Sequence, residues 1–446
     1  MPTLRLSFLL VVLCAALAAP ASEPGAREGV AAAEADALQL PAVLTLQKAL
    51  EIFRARGFDL LVAESSVQSA VGDVSIAAGL PNPSFSVSAG KNFRCAASQD
   101  CNVVSFSGNV QDNSLISNFL TGKRGLRKDV AEAALLAARR SKDDAQRTLE
   151  FQLKQVWYQL LLASAQRGVA LETRESNQKT LALDQKRFSL GAINEADLAT
   201  IQVAALEAEQ AADLAEENLR TAKVALAFLL GARSLVPDFA VEARELDYQV
   251  PGPLASTTRE TLLAQALQRR PDLAALDRQI ERARAALALS RRNRFPDIGV
   301  GVTYSANGSG DSNISPPNGS IDLTFTPPLF YFQSGEIRKA EADLITQGVL
   351  RRKAEAQIVA DVDAAWAVLS ANRKLVERME RILLERAKKA RDLIQFQYEH
   401  GAASLLDLLN AQRTYTATRG EYAGDLASYW IALSQLEQAS AQELRP

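Results

Sequence analysis

No proline occurs between Ser84 and Val236, or between Leu329 and Arg445. Both stretches are rich in Ala, Leu, Glu, Gln, Lys and Arg, the strong helix formers. Only Gly168 interrupts the run from Leu126 to Leu190, and only Gly348 the run from Glu336 to His400. Apolar residues recur at helical spacing in Leu149, Leu153, Val156, Leu160 and in Val359, Val362, Trp366, Leu369. A helix of about 65 residues is on the order of 100 Å long at 1.5 Å per residue. A globular core cannot use such a helix, whereas a coiled-coil-like assembly can. Trp157 and Trp366 sit in these helices and are read as packing residues.

The two helical stretches carry the same turn. RFSLGAINEADLATIQ (187–202) and QYEHGAASLLDLLNAQ (397–412) share an aromatic, Gly, Asp-Leu and Gln at fixed spacing. The residues are Phe188, Gly191, Asp197, Leu198, Gln202 and Tyr398, Gly401, Asp407, Leu408, Gln412. Earlier segments also match: Asp59 with Asp272, Leu60 with Leu273 and Pro83 with Pro296, at an offset of 213. Trp157 matches Trp366 at an offset of 209, and the turn matches at 210. Near-constant offsets imply two copies of one unit. The expected layout is repeat 1 at 44–236, a linker at 237–257 and repeat 2 at 258–440, with turns at 189–194 and 399–404.

Beside Pro83 and Pro296 the hydrophobic period changes to two. Phe85, Val87 and Ala89 alternate with serines, as do Val104, Phe106 and Val110 with Ser105, Ser107 and Asn109. Ile298, Val300, Val302 and Tyr304, then Ile321, Leu323 and Phe325, repeat the pattern. Strand pairs are expected at about 83–118 and 296–328. Their length and two-faced character suit strands crossing an outer membrane. A hairpin packed on a helical domain would alternate similarly, but four such strands in an otherwise helical exported chain favour the membrane. Each copy then runs helix (about 36 residues), strand, loop, strand, helix (about 65), Gly turn and helix (about 36). The shorter helices should stack end to end beside the long one. Four strands cannot close a barrel, and lipid does not tolerate open strand edges, so several chains must share one.

Export is read from the N-terminus. Arg5, the apolar run Leu6 to Leu17 and Ala19-Pro20-Ala21 form a signal peptide at 1–21, followed by a segment at 22–43. Cys14 as a lipid-anchor cysteine is the alternative, against which Leu13 stands. The remaining Cys95 and Cys101 are expected to form a disulfide at a strand-loop tip in an oxidising compartment. Two cysteines and the distant His400 give no structural zinc site, and no metal or cofactor is expected. A net charge of −2 gives no case for nucleic acid. Neither a phosphate-binding glycine loop nor a Gly-x-Ser-x-Gly turn points to an enzyme.

The duplicated turn, GKRGLRKDVAEA at 122–133 and PPLFYFQSGEIRKAEADL at 327–344 occur in an order that resembles the TolC-like outer-membrane efflux family, from Leu44 to about Glu437. The resemblance implies a mainly α protein with membrane β-structure: a homotrimer with a shared twelve-stranded barrel and a periplasmic helical tunnel. It also implies an exit duct for efflux or type I secretion, bound to a periplasmic adaptor (membrane fusion protein) and an inner-membrane pump of the RND type. LFYFQSGEI is most similar to the heavy-metal cation branch. By position in the family, Asp197 and Asp407 correspond to acidic residues of a tunnel constriction, with Phe188 and Tyr398 nearby. Asn410 stands where a second acid would lie, and Ala403 where a gating Arg would. Read from the residues alone, Asn194-x-x-Asp197 and Ser404-x-x-Asp407 are helix-capping boxes, and Gly191 and Gly401 are left-handed caps. Both readings of the acids stay open. A periplasmic adaptor or an envelope coiled-coil protein is the rival function; neither accounts for amphipathic strand pairs.

Overall fold

The computed structural model describes residues 40–91, 104–112, 115–233, 238–307 and 317–445. The signal peptide, Cys14, most of 22–43, Cys95 and Cys101 lie outside the described residues. The chain begins with β1 (Val43–Leu44), α1 (Leu46–Arg56) and α2 (Phe58–Ala78), followed by β2 (Ser84–Lys91) and β3 (Val104–Gln111). A short α3 (Leu115–Thr121) leads into α4 (Lys123–Ser189), which runs unbroken for 67 residues, and α5 (Glu195–Leu229) returns. After β4 (Ala240–Val241) and α6 (Gly252–Ala255), α7 (Arg259–Arg269) and α8 (Pro271–Arg292) lead to β5 (Ile298–Asn307) and β6 (Asn318–Phe325). Then come α9 (Ser334–Arg378), a π turn (Met379–Leu383), α10 (Leu384–Glu399) and α11 (Leu405–Ser440).

The expected helix of about 36 residues before each strand pair is instead two helices. Gly57 (φ −59°, ψ 122°) breaks the first pair. In the second, Pro271 occupies the first helical position and Arg270 is extended (φ −63°, ψ 125°). A proline disfavours helical backbone in the residue before it, so α7 must end there. The sequence offset grows from 209 to 210 between the matched tryptophans and the matched turns. One extra residue has to be absorbed, and the π turn lies in that interval, with the Leu384 N–H bonding to the Met379 carbonyl.

Helix α4 is the spine, packing against α2, α5, α8 and α11. Arg124 donates to the Ala78 carbonyl (2.9 and 2.6 Å), and Arg54 to Glu150 (2.7 Å). These contacts align α1–α2 antiparallel to the first half of α4. The end of α5 meets the start of α2: the Phe58 and Phe228 rings are 6.3 Å apart. There Gly231 has φ +83°, and a Cβ would lie 2.6 Å from the Arg56 carbonyl. The short helices thus meet end to end beside the spine.

The main core gathers where these ends meet. Trp157, Leu160, Leu226, Leu262, Ile358, Val362, Tyr429 and Leu433 are buried together. Trp157 packs there as expected and donates to Glu245 (2.8 Å); Trp366 is half-buried against the same cluster. Segment 237–257 contributes Phe239, Leu246 and Leu254 to this core, and β4 pairs in parallel with β1.

The four longer strands form one antiparallel sheet in the order β2-β3-β5-β6. Register puts Phe85 opposite Val110, Val110 opposite Val302 and Val302 opposite Ile321. The opposite face carries Ser88 against Ser107, Asn109 against Thr303 and Thr303 against Ser320. One face is apolar and exposed; the other is lined by hydroxyls, amides and the carboxylate of Asp322. Among the described residues β2 and β6 have unpaired outer edges, and no helix is long and apolar enough to cross a membrane.

Candidate constriction at the helical tip

The end of the bundle far from the sheet is built from two turns. Helix α4 ends in a Schellman turn: Gly191 (φ +73°) N–H bonds to the Phe188 carbonyl (2.9 Å) and Ala192 N–H to that of Arg187 (2.8 Å). At the end of α10, Gly401 (φ +76°) N–H bonds to the Tyr398 carbonyl (3.1 Å) and Ala402 N–H to that of Gln397 (2.7 Å). Only a residue without a Cβ takes this left-handed backbone without strain.

Each following helix is capped. Asn194 Oδ1 accepts from the Asp197 N–H (2.8 Å), but the reciprocal bond that completes a capping box is formed only in the other turn. There Ser404 Oγ accepts from the Asp407 N–H (3.1 Å), and Asp407 accepts from the Ser404 hydroxyl (2.6 Å) and N–H (3.2 Å). Those two donors hold the exposed Asp407 carboxyl below its usual range. Asp197 is half-buried and Asn410 exposed. The Leu of each Asp-Leu pair packs inward with Ile201, Leu405 and Leu409 in a small apolar cluster.

The matched aromatics differ. Phe188 is 41% exposed, whereas Tyr398 is 5% exposed, and its hydroxyl donates to Asp184 Oδ1 (2.5 Å). Asp184 is fully enclosed, and its Oδ2 has no hydrogen-bond partner among the described residues. Burial, then the bond to Asp184, push the Tyr398 hydroxyl well above the ordinary tyrosine range. Arg187 lies over the Tyr398 ring (4.7 Å to its centre) and 3.6 Å from Asp184 Oδ1. It also donates to the carbonyls of Tyr398 (3.0 Å) and Glu399 (3.1 Å), where the α10 dipole favours a cation. Asp184, Arg187 and Tyr398 therefore tie the α4 turn to the α10 turn.

Sequence reasoning singled out Tyr398 but missed Asp184 and Arg187. Their signal was a departure from the repeat: at an offset of 210 they fall on Ile394 and Gln397. The repeated glutamines also diverge, with Gln202 exposed and Gln412 buried, donating to Ser176 (3.1 Å). Among the described residues no three His, Cys, Asp or Glu side chains converge as metal ligands.

The family model described as outer membrane efflux protein matches residues 49–232 and 262–442. The cobalt-zinc-cadmium resistance protein CzcC of Cupriavidus metallidurans is 24% identical over 397 residues, 89% of each chain. The pyoverdine export outer membrane protein OpmQ of Pseudomonas putida is 27% identical over 416 residues, 89% of this chain and 84% of its own. A crystal structure of CusC superposes with a TM-score of 0.71 at 19% identity, over 92% of this chain and 100% of that one. The matched segments hold the sheet, the spine and both turns; the chain belongs to the outer membrane efflux protein family.

Proposed function

We propose that three copies of this chain form the exit duct of a tripartite efflux system in the outer membrane. The observation that carries the reading is the four-stranded sheet with one apolar face, one polar face and, among the described residues, two open edges. Strands of 8 to 10 residues reach roughly 26–33 Å along their own axes at about 3.3 Å per residue; tilted by about 35–45°, they cross about 19–27 Å, close to the apolar band of about 25 Å in an outer membrane. Four strands are too few to close; three chains supply twelve. The helices, sheet-side ends at the membrane, form a periplasmic tunnel. Two copies of one unit, 44–236 and 258–440, make each chain, and the signal at 1–21 is removed.

At its tip the duct meets a periplasmic adaptor, coupled to an inner-membrane pump of the RND type. The duct is a channel, not an enzyme. Metal cations are its cargo, a reading supported by the similarity to CzcC and by the LFYFQSGEI stretch.

Detergent extraction of the outer-membrane fraction should yield a particle of about three chains; a soluble periplasmic monomer would overturn the assignment. Phe188, Gly191, Asp197, Tyr398, Gly401, Asp407 and Asn410 form the constriction in this reading, and the two acids serve both as helix starts and as lumen charges. Replacing both Asp197 and Asp407 by Ala should leave trimer yield intact and reduce cation preference in a planar bilayer. Unchanged selectivity in a normal trimer would restrict these acids to their helices.

A further inference from the structure

We propose that Asp322 is a specificity-determining residue of the duct at the level of the sheet, biasing passage toward cations. The proposal rests on the trimeric-barrel reading above, in which the polar sheet face lines the lumen and each chain contributes one carboxylate.

The polar face is otherwise neutral. It consists of Ser84, Ser86, Ser88 and Gly90 on β2, Ser105 to Gln111 at alternate positions on β3, Gly299 to Asn307 at alternate positions on β5, and Asn318, Ser320 and Thr324 on β6. Asp322 is the one ionisable residue on that face of the described strands. It stands near the middle of β6 (Asn318–Phe325).

The carboxylate is also held in place. Thr303 Oγ1 donates to Asp322 Oδ2 (2.6 Å), and Asn109 Nδ2 in turn donates to Thr303 Oγ1 (2.7 Å). This chain of bonds crosses β3, β5 and β6, so the charge is fixed to three strands. Its directly opposed neighbour is Gly301, which presents no side chain to cover it. A fixed anion on a water-filled wall surrounded by lipid concentrates cations, because the low-dielectric wall focuses its field into the lumen. Screening sets the range: the Debye length is about 10 Å at 0.1 M salt and about 3 Å at 1 M. Selectivity from Asp322 should therefore be greatest in dilute salt.

The test measures reversal potentials of reconstituted trimers under a KCl gradient. Asp322→Asn keeps an acceptor for Thr303 while removing the charge, and the tip acids remain in place. The cation-to-anion permeability ratio should fall about twofold or more near 0.1 M and converge with wild type near 1 M. Asp322→Cys, made with Cys95→Ser and Cys101→Ser, provides a second arm: a water-soluble sulfonate thiol reagent should label it and restore the lost preference. Labelling without any change in selectivity, or an Asp322→Asn trimer with the wild-type ratio in dilute salt, overturns the inference but leaves the barrel standing. Failure of the reagent to reach the thiol in an intact trimer overturns the barrel reading itself.

Discussion

Ile321→Arg is expected to remove the protein from the outer membrane, whereas Ser320→Arg, one residue earlier, should leave it there. Ile321 lies on the apolar face opposite Val302; Ser320 lies on the polar face opposite Thr303. Both side chains are exposed in the single chain, so neither substitution disturbs a packed interior. The difference arises only when the apolar face meets lipid. An Arg at mid-bilayer on a lipid-facing strand costs about 2–4 kcal/mol, and a trimer would carry three. On the lumen side the same guanidinium stays in water. The measurement is the amount of detergent-extracted trimer in outer-membrane fractions for each variant. Equal recovery of both would mean that the two faces see the same solvent, and the membrane reading of the sheet would fall.

The features most legible in the sequence were those with long, regular signals. The absence of proline with steady helical spacing gave α4 its full length. Strict alternation gave the strands, because a period of two assigns every side chain to a face at once. The tips were found because one turn was written twice, and Gly191 and Gly401 both have the positive φ expected of them.

What escaped the reading was local or unrepeated. The break at Pro271 was visible as a proline, whereas at Gly57 the only sequence signal is a glycine, where a Cβ would meet the Phe53 ring at 2.6 Å. Loss of register by one residue was present in the offsets, yet nothing in the composition of Met379–Leu383 marks a π turn. Segment 237–257 looked like a linker because of its prolines, while three scattered apolar residues join it to the core. At the tip, the Asp184–Arg187 pair has no twin in the second copy. A search for what the two matched segments share passes over it.

That asymmetric pair gives the second large expected effect: Tyr398→Phe should open the tip. The substitution removes one oxygen and keeps the ring that packs beside Ile201 and Leu408 and under Arg187. It leaves a fully enclosed Asp184 without its hydrogen bond, and the nearest cation, Arg187, is 3.6 Å away. Leaving a buried polar group unpaired costs about 1–3 kcal/mol, more for a charged one. The cost is relieved if the α10 turn moves off α4 and water reaches the carboxylate, so it acts only on the arrangement in which the two turns are joined. Since 1.4 kcal/mol is tenfold in an equilibrium, the open population should rise about tenfold or more. Trimer yield should not change, because the main core and the sheet lie far along the bundle from this bond. Single-channel conductance in planar bilayers reads the effect, with Asp184→Asn as the companion, since its amide can still accept from Tyr398. The pH dependence has a definite sign. The Tyr398 hydroxyl titrates higher when folded than unfolded, so its contribution is fully present below the ordinary tyrosine value of about 10 and is lost only as pH rises through the raised value. Wild-type conductance should therefore be flat from about pH 7 to 9 as far as this bond is concerned. A Tyr398→Phe trimer that conducts like wild type would show that the bond joins helices which move as one body, and the gate would have to lie between chains instead.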